Sequence, residues 1–149
     1  VMKLKRLARY LRGRPRLQLM YEWQSPTSEL NIYTDSDYAG DADARRSTSG
    51  GAICIGNHFI RAWSKHQKVT ALSSGEAELY AMTMACSEAL GLVAMAKDFG
   101  QVTRPFVHVD ASAAAGIAQR MGLGRVRHLD TQALWVQDAL RQRRLSVPS

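Results

Sequence analysis

Apolar residues follow two different periods in the first 27 residues. They first recur at helical spacing, which predicts a short amphipathic helix over residues 2–12 that ends at Gly13 and Pro15. From residue 17 to residue 23 they alternate with polar residues, a pattern typical of a strand with one buried face. The turn-forming residues 25–28 then predict a boundary between this segment and the rest of the chain.

Three strands are predicted next. Residues 30–37 form a strand-like run that ends in two acidic side chains, Asp35 and Asp37. Residues 50–55 and 58–64 are rich in β-branched, small and aromatic side chains and are joined by the dipeptide Gly56-Asn57, which is the signature of a tight hairpin. We therefore expect three antiparallel strands in succession.

Helical patterns dominate the second half of the chain. Ser73 or Ser74 can cap a long helix over residues 75–98. Its apolar stripe consists of Leu79, Met82, Cys86, Leu90 and Val93. A short strand over residues 106–109 ends at Asp110, and helices are predicted over residues 111–121 and 129–140. This order of elements predicts an α/β domain built on a mixed sheet.

Composition argues against several classes of protein. The longest apolar run, residues 89–96, is shorter than the roughly 20 residues that a membrane helix needs. No signal-type apolar core follows the basic N-terminal residues. Cys54 and Cys86 form no C-x-x-C pair, so we expect neither a disulfide framework nor a structural zinc site. These features predict an intracellular protein, cytoplasmic or nuclear, with no membrane partner.

The net charge of +7 lies in the N-terminal arm, residues 1–20. Seven basic residues and no acidic one fall in this arm, while the other 13 of the 20 basic residues balance the 13 acidic ones. A basic arm attracts polyanions over a Debye length of roughly 8–10 Å and favours salt-dependent nucleic-acid binding. The alternative is a solvated basic helix face that binds nothing.

Three carboxylates stand where a sheet could bring them to one edge: Asp35 and Asp110 at strand ends, and Glu78 on the long helix. Carboxylates gathered in this way repel each other unless a cation is present, and hard oxygen ligands suit Mg²⁺ or Mn²⁺. The alternative is that they are ordinary solvated surface groups. Asp37 shares a strand face with Asp35, so spacing alone does not separate the two. On the helix, Glu78 lies nearer the apolar stripe, whereas Glu76 is expected to meet solvent.

Several motifs together resemble a known family. They are, in order, YTDSDYAGD (residues 33–41), RRSTSGG (45–51), WSKHQ (63–67), ALSSGEAELYA (71–81), VD (109–110) and RHLD (127–130). The chain from residue 30 to its C-terminus closely resembles the ribonuclease H domain of copia-type LTR retrotransposon Pol polyproteins. The preceding residues 4–13 look like the tail of the reverse-transcriptase connection in the same polyproteins.

The resemblance implies the ribonuclease H fold, with a mixed five-stranded sheet flanked by helices. By motif position it implies that Asp35, Glu78 and Asp110 are the catalytic residues and the ligands of two Mg²⁺ (or Mn²⁺) ions, and it selects Asp35 over Asp37. The implied reaction is hydrolysis of the RNA strand of RNA–DNA hybrids, in a retrotransposon particle or the nucleus. The implied partners are the hybrid and the reverse-transcriptase domain. The implied division is a connection tail (1–27) and a ribonuclease H-like domain (28–149).

The C-terminal end departs from the family pattern. Residues 144–147 begin the last strand, and the sequence stops at Ser149, before the helix that carries the family's fourth carboxylate. We therefore expect the last strand and C-terminal helix to be truncated, with weak or no cleavage; Asp130 is the nearest substitute ligand. A second hypothesis is a catalytically weak or inactive module, domesticated for nucleic-acid binding or as a structural subunit. An integrase-like or resolvase-like enzyme is a third, which the Asp-Glu-Asp order and spacing disfavour.

Overall fold

The secondary structure follows the predicted order closely. The computed structural model describes residues 2–41, 45–109 and 131–147. Its elements are α1 (Met2–Gly13), β1 (Glu29–Asp37), β2 (Thr48–Ile55), β3 (His58–His66), α2 (Ser74–Asp98), β4 (Arg104–Val109) and α3 (Thr131–Arg141). The helix predicted over residues 111–121 lies outside the described residues.

The strands form a mixed sheet in the order β3-β2-β1-β4. β1 runs antiparallel to β2 and parallel to β4, where Thr34 pairs with Val109. The predicted hairpin joins β2 to β3, and Gly56 has the positive φ of 56° that a tight turn requires. The central strand β1 therefore lies between two neighbours of opposite direction, as expected for a mixed sheet.

Only one residue of the predicted fifth strand pairs with the sheet among the described residues. Ser146 forms a single parallel bridge to Phe106 of β4. Its carbonyl accepts a hydrogen bond from the Val107 N–H at 2.8 Å, and its own N–H donates to the Pro105 carbonyl at 3.0 Å. Among the described residues the sheet thus has four strands, and the start of the expected fifth lies beside β4.

The hydrophobic core lies between one face of the sheet and two helices. Leu30 and Ile32 of β1, Ile53 of β2 and Val107 of β4 are buried against α2, and Val136 of α3 joins the same cluster. The predicted stripe of α2 is confirmed, since Leu79, Met82 and Cys86 are buried and Leu90 and Val93 are half-buried. α2 is long and apolar enough to cross a membrane by length and composition alone. In this fold, its apolar side packs on the sheet.

The N-terminal segment lies outside the core. α1 forms as predicted, and its described side chains are exposed. The strand predicted over residues 17–23 does not form, because no ladder of backbone hydrogen bonds joins this segment to another described segment, and Trp23 is 88% exposed. Side chains hold the segment instead. Tyr21 donates through its hydroxyl to the Phe59 carbonyl at 2.7 Å, and Gln24 bonds the backbone of Ile55 and Asn57 in the hairpin.

Candidate active site

The end of β1 and the start of α2 bring two of the predicted carboxylates together. Thr34 and Ser36 of β1 face α2, while Asp35 and Asp37 are exposed on the other side of the strand, as the alternation predicts. Glu78 lies in the second turn of α2 and is only 5% exposed. Its side chain meets β1 at Ser36, the residue that follows Asp35.

Ser36 links the two carboxylates. Its backbone N–H donates to Asp35 Oδ1 at 2.8 Å and to Glu78 Oε1 at 3.3 Å. Its hydroxyl donates a second, shorter hydrogen bond of 2.7 Å to the same Glu78 Oε1. The other carboxylate oxygen, Glu78 Oε2, is buried and has no hydrogen-bond partner in the part of the chain that the structure describes.

The electrostatics of Glu78 follow from this arrangement. Burial raises the pKa of the Glu78 carboxyl above its ordinary value, the Ser36 hydroxyl lowers it, and the negative charge of Asp35 raises it again, with a net upward direction. Two carboxylates that share one backbone N–H donor, one of them with a buried oxygen that lacks a partner among the described residues, form a site that a divalent cation would stabilise. The hard-oxygen donor set therefore fits Mg²⁺ or Mn²⁺.

Buried hydrogen bonds fix α2 against the sheet near Glu78. The Thr34 hydroxyl lies 3.0 Å from the Gly50 carbonyl and 3.3 Å from the Ala81 carbonyl of α2. The Gln67 amide nitrogen donates to Ser49 Oγ at 2.9 Å and to the Ala77 carbonyl at 2.8 Å. These contacts tie the first turns of α2 to β1, β2 and the segment after β3.

The prediction for Glu76 was wrong. It was expected to meet solvent, but it is 3% exposed. Its carboxylate accepts hydrogen bonds from the Leu72 N–H at 2.8 Å and the Tyr80 hydroxyl at 3.0 Å. The Ser73 hydroxyl caps the helix by accepting from the Glu76 N–H at 3.2 Å. Glu76 therefore closes the N-terminus of α2, a role related to a capping box.

Asp35 opens onto a cleft of about 440 Å³. The cleft is also lined by Asp37, Thr48, Gly50, Ser64 and His66. The residues before Asp110 reach this end of the sheet, since Val109 pairs with Thr34. Asp110 and Asp130 themselves lie outside the described residues. Within the described part of the chain, no three or more histidine, cysteine, aspartate or glutamate side chains form a group that could hold a metal.

The contacts of Ser36, Thr34 and Gln67 were not found by sequence reasoning. Both Ser36 and Gln67 belong to the motifs on which the family resemblance rests. A polar residue on the buried face of a strand is the available signal, since Thr34 and Ser36 interrupt the apolar positions that begin with Leu30 and Ile32. A buried polar side chain needs a hydrogen-bond partner, but the sequence does not name that partner.

Solved structures identify the fold. A ribonuclease H1 isolated from compost by a metagenomic approach matches 82% of this chain and 84% of its own, with a TM-score of 0.62 and 16% sequence identity. The protease-reverse transcriptase of prototype foamy virus matches 89% of this chain and 19% of its own, with a TM-score of 0.52 and 14% identity. The fold is therefore that of ribonuclease H, as predicted.

Sequence relatives give the more particular assignment. The retrovirus-related Pol polyprotein from transposon TNT 1-94 of Nicotiana tabacum is 32% identical over 146 residues, which is 97% of this chain and 11% of the polyprotein. The corresponding polyprotein from transposon RE1 of Arabidopsis thaliana is 37% identical over 103 residues, 68% of this chain and 7% of the polyprotein. No protein-family profile matches the chain. The homologues of the chain are therefore Pol polyproteins of copia-type transposons, and its fold is ribonuclease H-like; it spans about a tenth of these relatives or less.

Proposed function

We propose that the chain is an endoribonuclease that hydrolyses the RNA strand of RNA–DNA hybrids within a transposon Pol polyprotein. The observation that carries the proposal is the link between Asp35 and Glu78 through Ser36, with the buried Glu78 Oε2 left without a partner among residues 2–41, 45–109 and 131–147. This link lies at the end of the central strand in a ribonuclease H fold. The family resemblance adds Asp110, which follows the last described residue of β4.

The carboxylates of the site have different roles in the proposed reaction. Asp35 and Glu78, with Asp110 by resemblance, would hold two divalent cations. When bound, these ions would supply activation of the attacking water and stabilisation of the departing 3′ oxygen. Asp35 is exposed to the cleft and can meet the scissile phosphate, whereas Glu78 is buried and faces the strand end. Selectivity for RNA would come from contacts to 2′-hydroxyls in the minor groove, which DNA lacks.

The likeness to Pol polyproteins suggests a partner domain and a division of the chain into two segments. We assign residues 1–27 to the end of a reverse-transcriptase connection and residues 28–149 to the ribonuclease H-like domain. In support, the first described residue of the hydrophobic core is Leu30. The match to a viral protease-reverse transcriptase supports a reverse-transcriptase domain as the neighbouring partner.

The test is cleavage of a labelled RNA–DNA hybrid beside duplex DNA and duplex RNA, each with Mg²⁺ or Mn²⁺. We expect metal-dependent loss of the RNA strand of the hybrid only. Asp35→Asn and Glu78→Gln should abolish the activity. Asp98→Asn and Glu29→Gln are matched controls, because both carboxylates are exposed and lie at the far ends of α2 and β1. Cleavage that survives both site variants would contradict the proposal.

A second function is favoured by the exposed basic helix. Every described side chain of α1 is exposed, and the arm carries seven cations and no acid. Such a surface can hold a nucleic acid without any metal chemistry. Salt-dependent binding of the hybrid with no cleavage in either metal would support a binding module in place of the nuclease.

A further inference from the structure

The hydrogen bonds of Ser36 are unevenly distributed over the Glu78 carboxylate. Both Ser36 donors, the N–H and the hydroxyl, point to Oε1, at 3.3 Å and 2.7 Å. Oε2 receives no hydrogen bond from any described residue although it is buried. A carboxylate has about four acceptor positions on its two oxygens. In this arrangement the Ser36 donors occupy positions on Oε1, and those on Oε2 stay available to another ligand.

Leaving a buried carboxylate oxygen without a partner is unfavourable in the metal-free chain. A glutamate side chain has several rotatable bonds, and its carboxylate would turn to share donors between both oxygens if it were free to do so. The two hydrogen bonds from Ser36 oppose that rotation. One donor is a backbone N–H fixed in β1, the other is the hydroxyl of the same residue, and both hold the same oxygen, Oε1. Ser36 thus holds Glu78 in one orientation.

We propose that Ser36 is a positioning residue, whose hydroxyl and amide bind Glu78 Oε1 and thereby present Oε2 to a divalent cation shared with Asp35. The proposal rests on the proposed function, since it concerns the same metal site. The Ser36 amide also bonds Asp35 Oδ1 at 2.8 Å, so one residue sets the geometry of both carboxylates. Groups that orient metal ligands typically change metal affinity by about 10-fold to 100-fold when they are removed.

The experiment measures Mn²⁺ binding to the 149-residue chain by isothermal titration calorimetry, without nucleic acid. Ser36→Ala removes the hydroxyl and keeps the amide, whereas Ser36→Thr keeps both donors. Ser28→Ala is the matched control, an exposed serine just before the same strand. Glu78→Gln is the reference for loss of the ligand itself. We expect Ser36→Ala to weaken Mn²⁺ binding by about 10-fold or more, and Ser36→Thr to bind as the parent chain does.

Two further readings separate positioning from a general effect on folding. The metal-free melting temperature of each variant reports stability, and a purely structural role would lower it in Ser36→Ala without changing the Mn²⁺ affinity of the folded chain. Cleavage measured against Mn²⁺ concentration should show a higher half-saturating concentration in Ser36→Ala, with most of the rate restored at saturating metal. If Ser36→Ala does not fold, Ser36→Val, which is isosteric with Ser36→Thr, lacks the hydroxyl and suits a strand, gives the same comparison.

The outcomes distinguish this proposal from the proposed function. Parent-like Mn²⁺ affinity in Ser36→Ala, together with lost binding in Glu78→Gln, would overturn the positioning role and leave the metal site standing. Absence of Mn²⁺ binding in the parent chain would overturn both. Weakened binding in Ser36→Ala with recovery in Ser36→Thr supports the role of the hydroxyl. Equal weakening in Ser28→Ala would overturn it, because the effect would then be unrelated to Glu78.

Discussion

Replacement of Gln67 tests how the fold holds the site. Gln67 is 5% exposed, and its amide nitrogen bonds Ser49 Oγ and the Ala77 carbonyl, which lies one residue before Glu78. Gln67→Ala removes both hydrogen bonds, each worth about 1 kcal/mol net. It also leaves the buried Ser49 hydroxyl without this partner, at a cost of about 1–3 kcal/mol.

A gain offsets part of that loss. The Gln67 amide oxygen is buried and has no hydrogen-bond partner among the residues that the structure describes, so its removal recovers a comparable amount, about 1–3 kcal/mol. The two desolvation contributions therefore nearly cancel, and the net loss is about 2 kcal/mol from the hydrogen bonds, plus any cost of the void. For a chain of this length, that corresponds to a fall of about 4–8 °C in the melting temperature.

The assay is urea unfolding followed by circular dichroism, beside Mn²⁺ calorimetry. Gln67→Met is nearly equal in shape and carries no donor, so it should lose the hydrogen-bond contribution without leaving a void. Gln101→Ala is the matched control on an exposed glutamine. We expect weaker Mn²⁺ binding in Gln67→Ala, because the first turns of α2 carry Glu78. A free energy of unfolding within about 0.5 kcal/mol of the parent would refute the reasoning, since surface substitutions fall in that range.

Four further predictions concern the site, the arm and the core. Glu78→Gln should stabilise the metal-free chain. The folded pKa of Glu78 is raised, so the stability of the parent falls as pH rises from the ordinary value of 4.5 through the folded pKa. Urea unfolding across that window should show the stability difference between variant and parent shrinking at lower pH. Asp35→Asn should abolish cleavage but keep or raise hybrid affinity in a gel-shift assay, because a negative charge near phosphate is lost; parent-rate cleavage would contradict the assignment. Glutamine at the basic positions of residues 5–12 should lower the slope of log affinity against log salt by about 0.9 for each phosphate contact removed, and an unchanged slope would exclude the arm from binding. Gly51→Ala should cost about 1–3 kcal/mol in urea unfolding, because its new methyl group meets the Trp63 indole, whereas Gly91→Ala meets no atom within 4 Å and should be neutral or stabilising.

Local patterns predicted most of the elements because their information is local. The alternation of β1, the Gly56-Asn57 turn and the apolar stripe of α2 each depend on residues a few positions apart, and all three are confirmed. The same alternation also predicted that Asp35 and Asp37 share a face. It was wrong for residues 17–23, because alternation shows which side chains could be buried and not whether a neighbouring strand is there to pair with them.

The sequence by itself determined the mixed α/β order, the basic arm and the residue types of the candidate site. Only the tertiary structure decided which groups meet. Glu76 and Glu78 are two residues apart on one helix, yet Glu76 closes the helix terminus while Glu78 reaches Ser36, 42 positions earlier in the chain. Spacing along a helix sets the angle between two side chains, but their partners depend on where the sheet lies against that helix. Since that placement results from packing the whole core, no local pattern contains it.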